Sequence, residues 1–204
     1  MKQALANYKI NKIIHKKDMS KADLEKFFSI ELRDLVKANN VNSILVWYAG
    51  HGKFVNQTGY WIPTDAKVDD EFTYFNINNL KGYMQSYSKV IHTLVITDAC
   101  ETGPSFYLAM RDTPKEKRCE DWEATKFKSA QVLSSAGYEL AADNSQFTKT
   151  FASALTNNPD GCIPIEKIAE KVGNAFKQGS GQKPRLGKIA GLEDEDGTFF
   201  FIKK

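Results

Sequence analysis

A histidine and a cysteine stand just after two apolar segments of the chain. His51 follows the run 43–48, with sequence SILVWY, and Cys100 follows the run 93–97, with sequence TLVIT. Short continuous apolar runs are typical of strands buried on both faces of a parallel sheet. Because ligands bind at the carboxyl ends of such strands, we predict that both side chains face one cleft.

This pairing predicts nucleophilic chemistry. A cysteine thiol becomes an effective nucleophile when a base within hydrogen-bond reach takes its proton, and the fold can bring together residues 49 positions apart. Glycines flank His51 and leave the backbone free to approach a reacting carbonyl. We therefore predict an oxyanion hole formed by the backbone amides of Gly52 and Cys100. The chemistry needs no metal.

The other histidines and cysteines are predicted to have no chemical role. Most histidines in soluble domains are structural or exposed, which is our interpretation of His15 and His92. Cys119 lies in a polar stretch and Cys162 follows a glycine near a turn. Three widely spaced cysteines without a CxxC pair indicate neither a disulfide framework nor a zinc site, and they favour a reducing, cytoplasmic setting.

The elements around these residues alternate between strand and helix patterns, which predicts an α/β fold with a mainly parallel sheet. The clearest helix spans residues 21–38, where apolar residues recur every three or four positions after a near capping box of Ser20 and Asp23. Further helices are predicted at 2–10, 78–88, 145–156 and 165–176. Strands are predicted at 13–14, 43–48, 60–63, 93–97, 130–135 and 198–202, with a turn region at 52–59.

Composition limits the class of protein. The 204 residues are 42% hydrophobic and 26% charged, as in an ordinary globular domain, so we predict one domain over residues 1–204. No apolar run approaches the roughly 18 residues of a membrane span, and the amino terminus has no secretory signal pattern. The net charge of +3 is spread along the chain, so no nucleic-acid or membrane partner is predicted.

The motifs at the two strand ends resemble those of the caspase-like cysteine peptidases, particularly the bacterial metacaspase-like members. They are YAGHG at 48–52, YWIPTDA at 60–66, VITDACETG at 95–103 and SAQVLSSAG at 129–137. The resemblance covers nearly the whole chain and implies a three-layer sandwich with a mainly parallel sheet flanked by helices. It implies a large-subunit-like part at 1–103, a connecting loop at 104–128 and a small-subunit-like part at 129–204.

The family fold normally opens with a strand and a full first helix, and residues 1–10 resemble the tail of that helix, so we expect the first strand to be missing from this chain. The resemblance therefore implies either a piece of a longer protein, preceded by a regulatory or sensor region, or another segment in that place of the sheet. A regulatory domain or activator is accordingly an expected partner.

The resemblance also implies an activity. Cys100 would attack the scissile carbonyl of a protein or peptide and His51 would handle its proton, giving a cysteine endopeptidase with a thioester intermediate. Asp98 stands where the caspase signature has glutamine. A buried carboxylate there favours Arg or Lys at P1 and repels an acidic residue. The alternative interpretation is that Asp98 caps the turn after its strand.

Two features could regulate the enzyme. Some metacaspases are activated by calcium, and residues 69–71 form an acidic cluster, but acids in polar loops are usually only solvated, so we predict no cofactor. The loop 104–128 carries several basic residues between the two halves, where related enzymes are cut during activation. An enzyme that cleaves after basic residues could process itself there, although a basic loop is more often only solvated surface. The substrate strand is expected to add near residues 134–137.

Two other function classes were weighed. A caspase-like pseudoenzyme or scaffold that binds a protein partner is the main alternative, but such relatives typically lose the histidine or the cysteine, and this chain keeps both. A flavodoxin-like nucleotide-binding domain would need a glycine-rich phosphate loop after its first strand, and the sequence has none. The sequence therefore favours a peptidase.

Overall fold

The computed structural model describes residues 1–99, 106–110, 117–119, 125–135, 145–176 and 184–204. The helices are α1 (Lys2–Leu5), α2 (Lys21–Lys26), a π-helical segment (Phe27–Glu31), α3 (Leu32–Ala38), a 3-10 helix (Glu71–Thr73), α4 (Ile77–Gln85), α5 (Gln146–Thr156) and α6 (Ile165–Ala175). The strands are β1 (Ser43–Ala49), β2 (His51–Val55), β3 (Thr58–Ile62), β4 (Phe75–Asn76), β5 (His92–Asp98), β6 (Tyr107–Met110), β7 (Ser129–Ser134), β8 (Cys162–Pro164), β9 (Arg185–Ile189) and β10 (Phe200–Ile202).

The central sheet has the strand order β1-β5-β7-β9-β6. The strands β1, β5 and β7 are parallel, and β9 runs antiparallel to both of its neighbours. All three parallel strands therefore end at one edge of the sheet, as the sequence predicts for the strands that precede His51 and Cys100. β1 lies at one side of the sheet, and most of its residues are only half-buried.

Each face of this sheet covers its own hydrophobic core. On one face, Val95 and Val132 pack in a cluster with α2, α3 and α4. On the other face, Leu94, Ile96 and Leu133 pack in a cluster with α1, α5 and α6. This alternation follows from the two-residue period of a strand. The predicted three-layer sandwich with helices on both sides of a mainly parallel sheet is confirmed.

The helix predicted at 21–38 is continuous, with a π-helical segment at its centre. Ser20 and Asp23 form a full capping box, in which each side chain bonds the backbone N–H of the other residue. This firm start fixes the rotation of the helix, so that Leu24, Phe28 and Leu32 face the core.

Several predictions of local structure were wrong. The turn region predicted at 52–59 contains most of the hairpin formed by β2 and β3, and residues 13–14 form no strand. The loop predicted at 104–128 contains β6, and β9 was not predicted. The last strand, β10, pairs with β8 in a separate two-stranded sheet. These short strands depend on distant pairing partners, which local patterns do not reveal.

The structure also contradicts the prediction of no disulfide. Cys119 and Cys162 are disulfide-bonded, with their Cα atoms 6.1 Å apart and a sequence separation of 43. Their spacing carries no recognisable motif, because the fold and not the local sequence brings them together. Within the described ranges, no helix combines the length and apolar character that a bilayer crossing requires.

Candidate active site

The carboxyl-terminal ends of the parallel strands β1, β5 and β7 lie side by side, and backbone hydrogen bonds join them. Ala49, the last residue of β1, is opposite Asp98, the last residue of β5. The amide of Gly50 donates to the carbonyl oxygen of Asp98 at 3.3 Å, and the amide of Ser135 donates to the carbonyl oxygen of Thr97 at 3.0 Å. These bonds extend the sheet pairing past the strand ends and hold the following residues in register.

His51 begins β2 directly beyond this edge. Its side chain is exposed, and within the described part of the chain its imidazole has no hydrogen-bond partner. In the antiparallel pairing of β2 with β3, His51 is opposite Ile62 and Lys53 is opposite Tyr60. These four side chains share one face of the small sheet, because opposed residues of an antiparallel pair point the same way. The imidazole is therefore accessible for chemistry.

The turn that carries His51 is fixed by an aromatic stack. The ring of Tyr48 lies 4.1 Å from that of Trp61 and nearly parallel to it, and the Tyr48 hydroxyl donates to the carbonyl oxygen of His51 at 2.9 Å. Burial raises the pKa of Tyr48, so the hydroxyl remains a donor. A Cβ atom at Gly50 would lie 2.8 Å from this hydroxyl, which explains why glycine precedes His51.

The two residues predicted for the oxyanion hole differ in what the structure describes. Gly52 is a strand residue of β2, opposite Trp61. Cys100 lies outside the described residues, which end at Ala99 before the gap. The Cys100–His51 dyad and the Cys100 amide therefore stay predictions.

Asp98 is almost fully buried, with 4% of its surface exposed. Thr148, in the first turn of α5, donates its hydroxyl to Oδ2 of this carboxylate at 2.8 Å. No other donor of the described residues contacts the carboxylate. The contact comes from α5. The turn after β5 lies outside the described residues, so the alternative that Asp98 caps this turn stays a prediction. Sequence reasoning did not find Thr148, which is 50 residues from Asp98 and belongs to an ordinary amphipathic helix pattern.

Two acids of the cluster at 69–71 contact other protein groups. Asp69 forms an ion pair with Lys53 at 3.4 Å, and Asp70 accepts the amide of Phe72 at the start of the 3-10 helix. The described residues contain no group of three histidine, cysteine or acidic side chains arranged to hold a metal ion. These contacts give Asp69 and Asp70 a part in the local structure of the loop.

The remaining candidate histidines differ from His51 in position or environment. His92 lies at the opposite end of β5, half-buried, with Nδ1 2.9 Å from the Ser129 hydroxyl and Nε2 2.8 Å from the Thr125 carbonyl oxygen. Burial lowers the pKa of His92 and keeps the ring neutral. His15 is exposed in a segment without regular structure. His92 has the structural role predicted for it.

A comparison with protein-family models decides the family. The model of the caspase domain matches residues 1–189, which is most of the chain. The chain belongs to the caspase-domain family. Its members are cysteine-type peptidases, so the reaction class of this caspase domain is hydrolysis of peptide bonds in protein substrates. A search of curated proteins gave no match.

Proposed function

We propose that this caspase domain is a cytoplasmic, metacaspase-like cysteine endopeptidase that cleaves proteins after Arg or Lys, with Cys100 as nucleophile and His51 as base. One observation carries the proposal. Ala49 and Asp98 are opposite each other in the register of β1 and β5, and His51 and Cys100 each follow one of these paired residues by two positions. Matched positions beyond adjacent parallel strands suit a nucleophile and its base.

The proposed reaction has two stages. His51 accepts the proton of the Cys100 thiol, and the sulfur attacks the scissile carbonyl carbon. The resulting oxyanion accepts hydrogen bonds from the amides of Gly52 and Cys100. The protonated His51 then gives its proton to the leaving amine, which leaves a thioester on Cys100. Water, deprotonated by His51, hydrolyses the thioester and restores the thiol.

The environment of Asp98 supports its assignment to the S1 pocket. Its carboxylate is almost fully buried at the same sheet edge as the turn that carries His51. Thr148 bonds Oδ2, and in the described part of the chain no donor contacts Oδ1. A guanidinium or ammonium group would pair with this carboxylate strongly, because a desolvated ion pair is poorly screened. An acidic P1 side chain would meet like charge.

Strand β1 supports a regulated setting for the enzyme. It is a seven-residue apolar strand at one side of the central sheet, where its residues are less buried than those of β5 and β7. A further strand, from a longer chain or from an activating partner, would pair with β1 and cover it. Self-cleavage in the connecting loop at 104–128 is the second proposed level of control.

The proposal is tested with matched fluorogenic peptides that carry Arg, Lys or Asp at P1. We expect turnover of the Arg and Lys peptides alone, in the presence and absence of calcium, and loss of turnover in Cys100→Ala and His51→Ala. His15→Ala, at an exposed histidine outside the site, is the matched control and should match wild type. If neither wild type nor Cys100→Ala cleaves any of the peptides, the result points either to a missing amino-terminal portion or activator, or to the scaffold alternative.

The role of Asp98 has its own test. Asp98→Asn keeps the shape and the Thr148 bond but removes the charge, so kcat/KM for the Arg peptide should fall roughly a hundredfold, the effect of removing one partner of a buried charge pair. Asp160→Asn, at an exposed aspartate, is the control. Cleavage after Asp by wild type would contradict the S1 assignment and leave the dyad intact.

A further inference from the structure

We propose that the Cys119–Cys162 disulfide is a redox-controlled lock on the peptide bond between Arg118 and Cys119, which is a self-processing site of this enzyme. The observation behind it is a juxtaposition. An exposed arginine directly precedes a cysteine that is covalently attached to a distant strand. The inference rests on the proposed function, since it assigns Arg118 as a P1 residue of the same basic-specific site.

The bridge anchors this segment far from the candidate active site. Cys162 is the first residue of β8, and its carbonyl oxygen accepts a hydrogen bond from Asn158, just beyond the carboxyl end of α5. Asp98 is contacted by Thr148 at the opposite end of α5. At 1.5 Å per helical residue, the eight positions from Thr148 to Thr156, the last residue of α5, span about 12 Å. The bridge thus holds Cys119 near the carboxyl-terminal end of α5, whereas the candidate active site lies near the amino-terminal end.

The bridge also blocks the conformation that cleavage requires. A peptidase binds its substrate as an extended strand, with residues on both sides of the scissile bond in the cleft. If Arg118 occupies the S1 pocket, Cys119 is the P1′ residue and must enter the cleft as well. Cys162 is largely buried, so while its sulfur is bonded to Cys119 the position of Cys119 is fixed relative to the folded domain. The peptide bond between Arg118 and Cys119 can then enter neither the active site of the same molecule nor that of another copy.

Reduction releases the lock by a balanced thiol-disulfide exchange. Two molecules of a low-molecular-weight thiol donate two electrons and two protons to the bridge. Cys119 and Cys162 become thiols, and the two reagent molecules join in a new disulfide. The reverse exchange, with a low-molecular-weight disulfide as oxidant, closes the lock. In a cytoplasmic protein such a bridge is expected to be reversible and regulatory, and not permanent.

The decisive experiment measures access to the bond with an external protease. The background is Cys100→Ala, which removes both self-cleavage and the third thiol. After oxidation, the bridged protein is compared with Cys162→Ser in limited digestion by trypsin without reductant, and fragments that begin at Cys119 are quantified by mass spectrometry. Cys162→Ser leaves the sequence around the scissile bond unchanged. We expect cleavage after Arg118 to be at least about tenfold faster in this variant.

Two controls separate local release from general unfolding. Cleavage after Lys26, within the capped helix α2, requires global opening, so its acceleration in Cys162→Ser measures the general loss of stability. The lock predicts that cleavage after Arg118 is accelerated at least about tenfold more than cleavage after Lys26. Arg118→Gln should abolish the fragment that begins at Cys119. Should Cys162→Ser fail to fold, the bridged protein is reduced with a phosphine, desalted under nitrogen and digested, which tests the same bond without a substitution.

The outcomes are distinct. Equal rates after Arg118 with and without the bridge, or the absence of a linked Cys119–Cys162 peptide after oxidation, overturn the lock. Failure of the proposed peptidase is detected separately, by the fluorogenic peptides, since the digestion uses an inactive chain. If both hold, active Cys162→Ser should cut itself after Arg118 faster than oxidised enzyme that retains both cysteines.

Discussion

Two histidines at opposite ends of the central sheet have contrasting environments. His51 lies beyond the carboxyl ends of the parallel strands, exposed and without a side-chain partner among the described residues. His92 begins β5, and six residue steps of about 3.3 Å place it roughly 20 Å from Asp98 at the other end of that strand. Both nitrogens of its ring are hydrogen-bonded, to Ser129 and Thr125.

The two environments suit different roles, proton transfer for His51 and structural support for His92. A proton-transfer group must release and accept a proton during each turnover, so its nitrogens must be accessible to the reacting atoms. A ring with both nitrogens bonded instead joins the elements around it, here the first residues of β5 and β7. We therefore expect changes at the His51 end to alter activity without affecting stability, and changes at the His92 end to do the reverse.

The largest expected effect is on activity at the His51 end. His51→Ala should lower kcat for an Arg peptide by roughly 10² to 10⁴-fold, the range for loss of a general acid-base group. The free energy of unfolding should stay unchanged, because the exposed ring has no side-chain bond in the described structure. Steady-state kinetics and urea unfolding of the same preparation measure both quantities. A drop in stability equal to that of a core variant would contradict the comparison.

The next effect is the loss of the disulfide that holds the segment before β7. Cys162→Ser should lower the free energy of unfolding of the oxidised protein by about 2–4 kcal/mol, because a 43-residue separation leaves the unfolded chain with more entropy once the bridge is gone. Urea unfolding without reductant measures the change. Cys119→Ser should give the same loss, and the difference from wild type should vanish in reductant.

A smaller loss of stability is expected at His92. His92→Ala leaves the partly buried Ser129 and Thr125 groups without the ring, which should cost about 1–3 kcal/mol. The folded fraction should keep the wild-type kcat for an Arg peptide. A selective loss of kcat in folded His92→Ala would show that the two ends of the sheet are not separable in this way.

The smallest effect is the pH dependence that His92 adds. Its pKa is lowered from 6.5 by burial, so the unfolded chain binds a proton there more readily than the folded chain does. The contribution of His92 to stability is therefore complete above pH 6.5 and declines as the pH falls below that value. Unfolding free energies between pH 8 and pH 5 should decline less in His92→Gln, which keeps an amide donor but does not titrate.

Sequence alone predicts the parts of this molecule that have strong local patterns. The capped helix at 21–38 and the three parallel strands are apolar enough to be recognised, and their ends locate His51 and the edge near Asp98. The strands β6 and β9 escaped prediction because they are short and depend on each other and on β7 for pairing. β2 was interpreted as a turn because its glycine interrupts the strand pattern.

The contacts that complete the site and the lock join distant positions. Thr148 reaches Asp98 across 50 residues, and Cys119 reaches Cys162 across 43. Neither pairing has a periodic signal, because each depends on how α5 packs against the sheet and on where it ends. An odd number of cysteines further obscured the bridge, since any two of the three can pair.

The pairing of β5 with β7 has a consequence for any cut in the segment between them. These strands share a six-residue parallel register that runs from His92 opposite Ser129 to Thr97 opposite Ser134. Each strand supplies residues to both hydrophobic cores. A nicked molecule is therefore a heterodimer whose subunit interface is the interior of the domain, and its two polypeptides stay assembled without a covalent link. Proteolysis at this position changes the freedom of the new chain ends and leaves the quaternary unit intact.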